Sequence, residues 1–311
     1  MNSTEAFRQQ SEQLARSDQT LWLGQLCWYS VSGVLVQHED LVRALAANNL
    51  KGYVPKLPSD VDIFRRVATK AQKKRVPNNL PGSYNNYLLR DIPLDGSYVH
   101  KVLVRETVQP GKLSYETELC RVTYDKTNGG VSHTPVGSDL EAQLIVDTIL
   151  VGYTTERGAL NSHAVRELIR KMLLDNHAVN VRGEGGGLYF VPSQEGAFFA
   201  NLEGFAAMMP GKVEVDSHPV LDDTKRREML QRAFLAEVED EVDKVVLEVS
   251  TLLERKQPIS AAKAQTYYDQ YGRAIEKVQE YDDLLEQRHD SAHSALSIFQ
   301  RQLLSLSTLV Q

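Results

Sequence analysis

Residues 235–253 read Leu-Ala-Glu-Val-Glu-Asp-Glu-Val-Asp-Lys-Val-Val-Leu-Glu-Val-Ser-Thr-Leu-Leu. Leu235, Val238, Val242, Val245, Val249 and Leu252 recur at spacings of 3, 4, 3, 4 and 3. That is a heptad seam, an apolar stripe on a helix that needs a partner helix. Lys256-Gln257-Pro258 breaks it, because proline lacks the backbone donor a helix interior requires. A second seam runs through Ala264, Tyr268, Tyr271, Ile275, Val278, Tyr281 and Leu285, then Ala292, Leu296, Phe299, Leu303, Leu306 and Val310, interrupted at Asp282 and His289. Two long arms joined by a short break predict an antiparallel helical hairpin. The second arm outruns the first by roughly 15 residues, which at about 1.5 Å per residue leaves on the order of 20 Å of seam uncovered. The expectation is that this tip folds back on the body or pairs with another chain. Leu296, Phe299, Leu303, Leu306 and Val310 are then the expected partner-binding surface.

Upstream, residues 77–219 change period. Tyr84–Ile92, Tyr98–Val108, Leu113–Asp125 and Val131–Val136 read as strands, separated by Asp95-Gly96, Pro110-Gly111 and Asn128-Gly129-Gly130. These pairs are turn signals, and the alternation between them predicts an antiparallel meander. Leu140, Leu144, Ile145, Ile149 and Leu150 then lie on one helical face that Gly152 is expected to end. A second helix, opened by Asn161-Ser162, points Val165, Leu168, Ile169, Met172 and Leu173 inward and Arg166, Arg170 and Lys171 outward. Ala178–Val181, the glycine-rich Arg182–Gly187 and Leu188–Pro192 follow as strand, tip and strand. Helix, helix and hairpin is the winged-helix order, in which the second helix can enter a major groove and the wing can touch phosphates. A helix at 195–209 and a strand at 212–215 close the region.

Residues 1–76 predict a small helix-turn-helix-like unit: a helix over Thr4–Arg16, a core segment over Leu21–Tyr29, a strand over Gly33–Gln37, a helix opened by His38-Glu39-Asp40, and a helix capped by Ser59. The organisation expected is thus α+β in three regions: 1–76, 77–219 and 220–311.

The 311 residues are 42% hydrophobic and 24% charged, a balance that excludes a disordered or collagen-like chain. Net charge is −6, so the chain as a whole is no polycation. Residues 221–311 hold 12 Lys and Arg against 17 Asp and Glu, and the rest hold 23 against 24, so the negative charge sits mostly in the helical arms. Cys27 and Cys120 are too few for a disulfide scaffold or a four-cysteine zinc site and suit a reducing cytoplasm. The polar N-terminus lacks the apolar stretch of a secretory signal, and no apolar run is long enough to span a bilayer. A cytoplasmic location is expected, the host cytoplasm if the protein is viral, with no membrane association.

Candidate chemistry is sparse. Arg65, Arg66, Lys70, Lys73, Lys74 and Arg75 form a run without an acid. On one helix they would make a positive strip suited to phosphates, or a solvated face paired with the acidic arms. With Arg166, Arg170, Lys171 and Arg182 they are the expected nucleic-acid-binding residues. The Gly183–Gly187 cluster lacks the Gly-Lys-Ser/Thr that a phosphate loop needs at a helix start, so a hairpin tip is expected there. His289 and His293 share a helical face, but no Cys or third His lies near in sequence, and Asp290 could join only from elsewhere on the helix. No catalytic residues, metal or cofactor are expected, although a site assembled only in the fold is possible in principle.

The stretches Trp28-Tyr29-Ser30-Val31-Ser32-Gly33, Pro58-Ser59-Asp60 with Phe64-Arg65-Arg66, and Gly186-Gly187-Leu188-Tyr189-Phe190-Val191-Pro192, together with the helical tail, resemble an uncharacterised family found in bacteriophages, actinobacteria and haloarchaeal elements. That resemblance implies a prokaryotic or viral intracellular protein of mobile-element type and transfers no functional residue. The function expected is non-enzymatic: an oligomerising nucleic-acid-associated or adaptor protein, contacting DNA or RNA through phosphates and a protein partner through its C-terminal helices. The alternative expectation is a protein–protein module that inhibits or scaffolds host machinery. An enzyme is the lesser expectation.

Overall fold

A computed structural model of the chain describes residues 22–78, 81–92, 96–183, 186–256 and 258–306. The helix expected over Thr4–Arg16 and the tip residue Val310 lie outside these. The chain forms two compact units, one of Met1–Val34, Val42–Val54 and Ser162–Gln311, the other of Leu35–Leu41 and Pro55–Asn161. The division cuts across the three regions expected, because strand pairing joins segments far apart in sequence. No helix among the described residues is long and apolar enough to cross a membrane.

The unit of Leu35–Leu41 and Pro55–Asn161 contains the expected meander. Its sheet runs β3 (Lys73–Pro77), β4 (Tyr84–Ile92), β5 (Tyr98–Gln109), β6 (Lys112–Asp125) and β7 (Val131–His133), in that order and antiparallel. Register sets Leu89 opposite Leu103 and Leu103 opposite Cys120. These side chains, with Val122 and Tyr124, pack on Ile63, Phe64 and Val67 of α2 (Asp60–Ala71) and Ile145, Val146 and Ile149 of α3 (Leu140–Glu156). Ser59 caps α2 as expected, its Oγ accepting from the Asp62 amide at 3.2 Å. α3 does not stop at Gly152. A Cβ there would lie 2.8 Å from Val67 Cγ1, so this glycine permits close helix contact rather than ending the helix. β8 (Ala159–Asn161) pairs with β2 (Leu35–Gln37).

The other unit is built on an antiparallel sheet of order β11 (Lys212–Leu221), β1 (Trp22–Ser32), β10 (Leu188–Pro192) and β9 (Val179–Asn180). The N-terminal region is therefore not a free-standing helix-turn-helix-like unit. Its dense apolar segment is a strand whose partners come more than 150 positions later, Leu26 facing Phe190 on one side and His218 on the other. Gly24 permits the pairing, since a Cβ there would sit 2.2 Å from Val191 O. Helices α4 (Ser162–Asp175) and α5 (Gly196–Ala207) follow the expected positions, with Phe198, Phe199, Leu202 and Phe205 of α5 buried, and α1 (His38–Ala47), also where expected, has its first residues in the other unit.

Among the described residues the tail is three helices, not two: α6 (Thr224–Glu254), α7 (Ala261–Leu284) and α8 (Asp290–Leu306). α8 packs chiefly on α6 and also on α7. The surplus length of the expected second arm thus folds back within the chain. Leu296, Phe299, Leu303 and Leu306 are buried in one core with Phe234, Val238, Val242 and Val245 of α6 and Val278 and Tyr281 of α7. These four are core residues of the chain and present no free partner surface. At the start of α7 the core takes Tyr267 rather than the expected Tyr268, which is exposed.

The two interruptions of the seam make the turn between α7 and α8. Asp282 accepts from the His289 amide at 2.9 Å, from His289 Nδ1 at 2.7 Å and from His293 Nε2 at 2.7 Å. His289 stands edge-on to Phe234, with ring centroids 5.3 Å apart. Burial alone would raise the Asp282 carboxyl, but the bonds from His293 and His289 outweigh it and hold it below the ordinary 3.8. A depressed carboxylate contributes stability that is present above its unfolded value and lost as pH falls through its folded value. Asp282→Asn is therefore expected to cost about 2 kcal/mol near neutral pH, for the loss of charge-assisted bonds, and progressively less below pH 3.8. Urea midpoints of both proteins across pH 7 to 2.5 check this; a gap that stays constant with pH contradicts it.

Candidate functional site

α4 places the site. Val165, Leu168, Ile169, Met172 and Leu173 bury one face, which turns Arg166, Glu167, Arg170 and Lys171 to the other. The helix ends where His177 takes a left-handed backbone at φ 53° and the Ala178 amide returns to Leu173 O at 3.0 Å, a Schellman-type closure in which glycine is the usual residue. Histidine stands there instead, its carbonyl accepting from Tyr281 OH at 3.1 Å and its Nδ1 against Glu280. β9 and the turn after it follow. The Asn180 amide donates to Glu237 at 2.7 Å, and Asn180 Nδ2 to Gly186 O at 2.7 Å, tying the glycine-rich turn to α6.

These elements enclose a cleft of about 1360 Å³. α4, Tyr29, Gly183, Gly186, Gly187, α6 and α7 contribute to its lining, which among the described residues holds seven Lys and Arg against five Asp and Glu. Lys277 is buried, donating to Ala178 O at 3.3 Å and paired closely with Glu237. Burial pushes the Glu241 carboxyl up; Glu237 adds to this, while Lys277 and Arg273 oppose it. Arg166 is partly structural, its guanidinium donating to Val31 O at 2.8 Å. Arg170 and Lys171 are exposed, with loose contacts to Glu167 at 3.6 Å and Asp175 at 3.8 Å, and the Lys171 ammonium also lies over the Tyr53 ring at 5.7 Å. Arg182 is exposed at the turn.

The 65–75 run is not the single helical strip expected. α2 ends at Ala71, and Lys73, Lys74 and Arg75 lie on edge strand β3, where Arg75 sits at φ 56° in a register shift. Arg66 and Lys70 both clamp Glu156, at 2.8 and 3.1 Å, and Lys73 pairs with Glu141. Burial raises the Glu156 carboxyl, yet bonds from Arg66 and Lys70 bring it below the ordinary value. Three of the six cations are therefore paired with the two acids Glu156 and Glu141 of α3, and Arg65 meets Asp62 at 4.0 Å. Lys74 and Arg75 are exposed.

One group that sequence reading did not assemble is His177, Glu195 and Glu280, whose ligand atoms lie within 4.8 Å of one another. They come from the end of α4, from the 3-10 turn Ser193–Glu195 and from α7. Residues 18 and 85 positions apart leave no local spacing signal. His289 and His293, which do have ligand spacing, both face Asp282 instead.

Among the described residues, fold and cleft define an α+β protein with antiparallel sheets of five, four and two strands, a three-helix tail and a mixed-charge cleft beside α4. The chain belongs to the family of unknown function DUF6744, whose pattern it matches over residues 22–311. No curated protein and no solved structure matches it.

Proposed function

We propose that this is a non-enzymatic protein that holds the phosphate backbone of a nucleic acid in the cleft beside α4. The observation that carries the reading is the exposed pair Arg170 and Lys171 on the lining of a cleft with more cations than anions, with Arg182 exposed next in the chain to the lining residue Gly183. Exposed ion pairs at these distances contribute little, so phosphates can replace Glu167 and Asp175 as partners. The order α4, β9, glycine-rich turn, β10 supports a winged-helix-like use, with α4 at a groove and the turn at the backbone. Arg66, Lys70 and Lys73 drop out of the binding set because Glu156 and Glu141 hold them.

The test is fluorescence anisotropy with a labelled DNA duplex and a single-stranded RNA between 50 and 200 mM salt. Binding is expected to fall steeply with salt, each phosphate contact contributing about 0.9 to the log–log slope on duplex. Arg170→Ala/Lys171→Ala/Arg182→Ala is expected to weaken binding and reduce that slope by about 2–3, while Arg66→Ala/Lys70→Ala leaves it unchanged. Absence of binding at 50 mM salt, or an unchanged slope in the triple variant, overturns the reading.

A further inference from the structure

We propose that His177, Glu195 and Glu280 bind one divalent transition-metal ion, with zinc as the reference ion. Three ligand atoms no more than 4.8 Å apart leave room for a point about 2.8 Å or less from each, and small side-chain rotations close this to the roughly 2.0–2.2 Å of zinc bonds to nitrogen and oxygen. One imidazole with two carboxylates, and no thiol, is a donor set for zinc and its first-row neighbours rather than for a soft ion.

A second observation points to a ligand. The Glu280 side chain is only 8% exposed. One of its oxygens meets His177, and the other, Oε1, is buried with no hydrogen-bond partner. A buried carboxylate oxygen that accepts nothing is costly, and a cation bound to the cluster supplies what the protein does not. The nearby Lys277 does not fill this role, because Glu237 and Ala178 O take its ammonium. His177 stands in the left-handed region where glycine is the usual residue, and its imidazole meets Glu280. Three protein ligands leave a fourth position for water or a further ligand. His177 also lines the cleft, so a bound ion would lie at its edge. The inference stands independently of nucleic-acid binding, since every readout below concerns the metal alone.

The experiment uses the full chain, stripped with chelator and titrated with zinc chloride by calorimetry, with magnesium chloride in parallel. Cobalt(II) is added separately to read its visible absorption. One zinc per chain is expected, with at least tenfold weaker binding of magnesium. Glu195→Gln and Glu280→Gln should each weaken zinc binding tenfold or more and diminish the cobalt bands. His293→Ala, which removes the other histidine pair, should leave stoichiometry and affinity unchanged. Substoichiometric binding by the unaltered chain, magnesium binding as tight as zinc, or loss of the ion in His293→Ala would each overturn the proposal. Circular dichroism confirms folding; if Glu280→Gln does not fold, Glu195→Gln on the surface turn decides, and wild-type affinity in that variant also overturns it.

Discussion

Phe299→Ala is expected to lower the unfolding free energy by about 3–5 kcal/mol, the usual cost of truncating a fully buried phenylalanine. Phe299 is 0% exposed and meets Tyr271 edge-on, with centroids 5.3 Å apart. Around it lie Leu296 and Leu303 from its own helix and the apolar face of α6. The transfer of the ring to water is lost and a cavity remains, because three packed helices cannot collapse fully around it. Leu304, one position beyond Leu303 and 67% exposed, is the control, and its alanine variant should stay within about 0.5 kcal/mol of the parent. Urea unfolding followed by far-ultraviolet circular dichroism measures both. If Phe299→Ala cost less than 1 kcal/mol and changed only the mass in solution, α8 would be a docking helix and not a core helix.

Lys277→Met should cost a similar amount, about 3–5 kcal/mol, for a different reason. The Lys277 side chain is 6% exposed and its ammonium satisfies both Glu237 and Ala178 O. Removing it leaves the Glu237 charge in a poorly solvated place, although the Asn180 amide still donates to it. Breaking one side of such a pair is costly, whereas removing both charges often is not. Lys277→Met/Glu237→Gln is therefore expected to recover much of the loss, and the cycle of four proteins gives the coupling. A single variant as stable as the parent would mean that water reaches the pair and that the cleft floor is wetter than its packing indicates.

Local signals were legible in the chain where neighbours in sequence are also neighbours in space. Gly96, Pro110-Gly111 and Asn128-Gly129-Gly130 lie between the strands of the meander, and those strands fall within a few residues of their expected bounds. Ser59 reads as a cap and acts as one. Leu296, Phe299, Leu303 and Leu306 read as an apolar face and are one. What that face meets did not follow. Asp282 and His289 looked like blemishes in a continuous stripe, and only their mutual hydrogen bonds reveal a turn.

The charged residues carried less. Six cations between 65 and 75 looked like one surface because their partners Glu141 and Glu156 lie some 70 to 90 positions away. Arg170 and Lys171, by contrast, have acids only within their own helix turn, and these could be read directly.

Periodicity, turn chemistry and capping are properties of a few consecutive residues, so the helices, the meander and the apolar faces were written in the order of amino acids. The pairing of Trp22–Ser32 with Leu188–Pro192 and Lys212–Leu221, the folding back of the last helix, and the meeting of His177, Glu195 and Glu280 depend on which distant surfaces exclude water together. Burial is non-directional and leaves no spacing rule behind, which is why those three features emerge only from the packed chain.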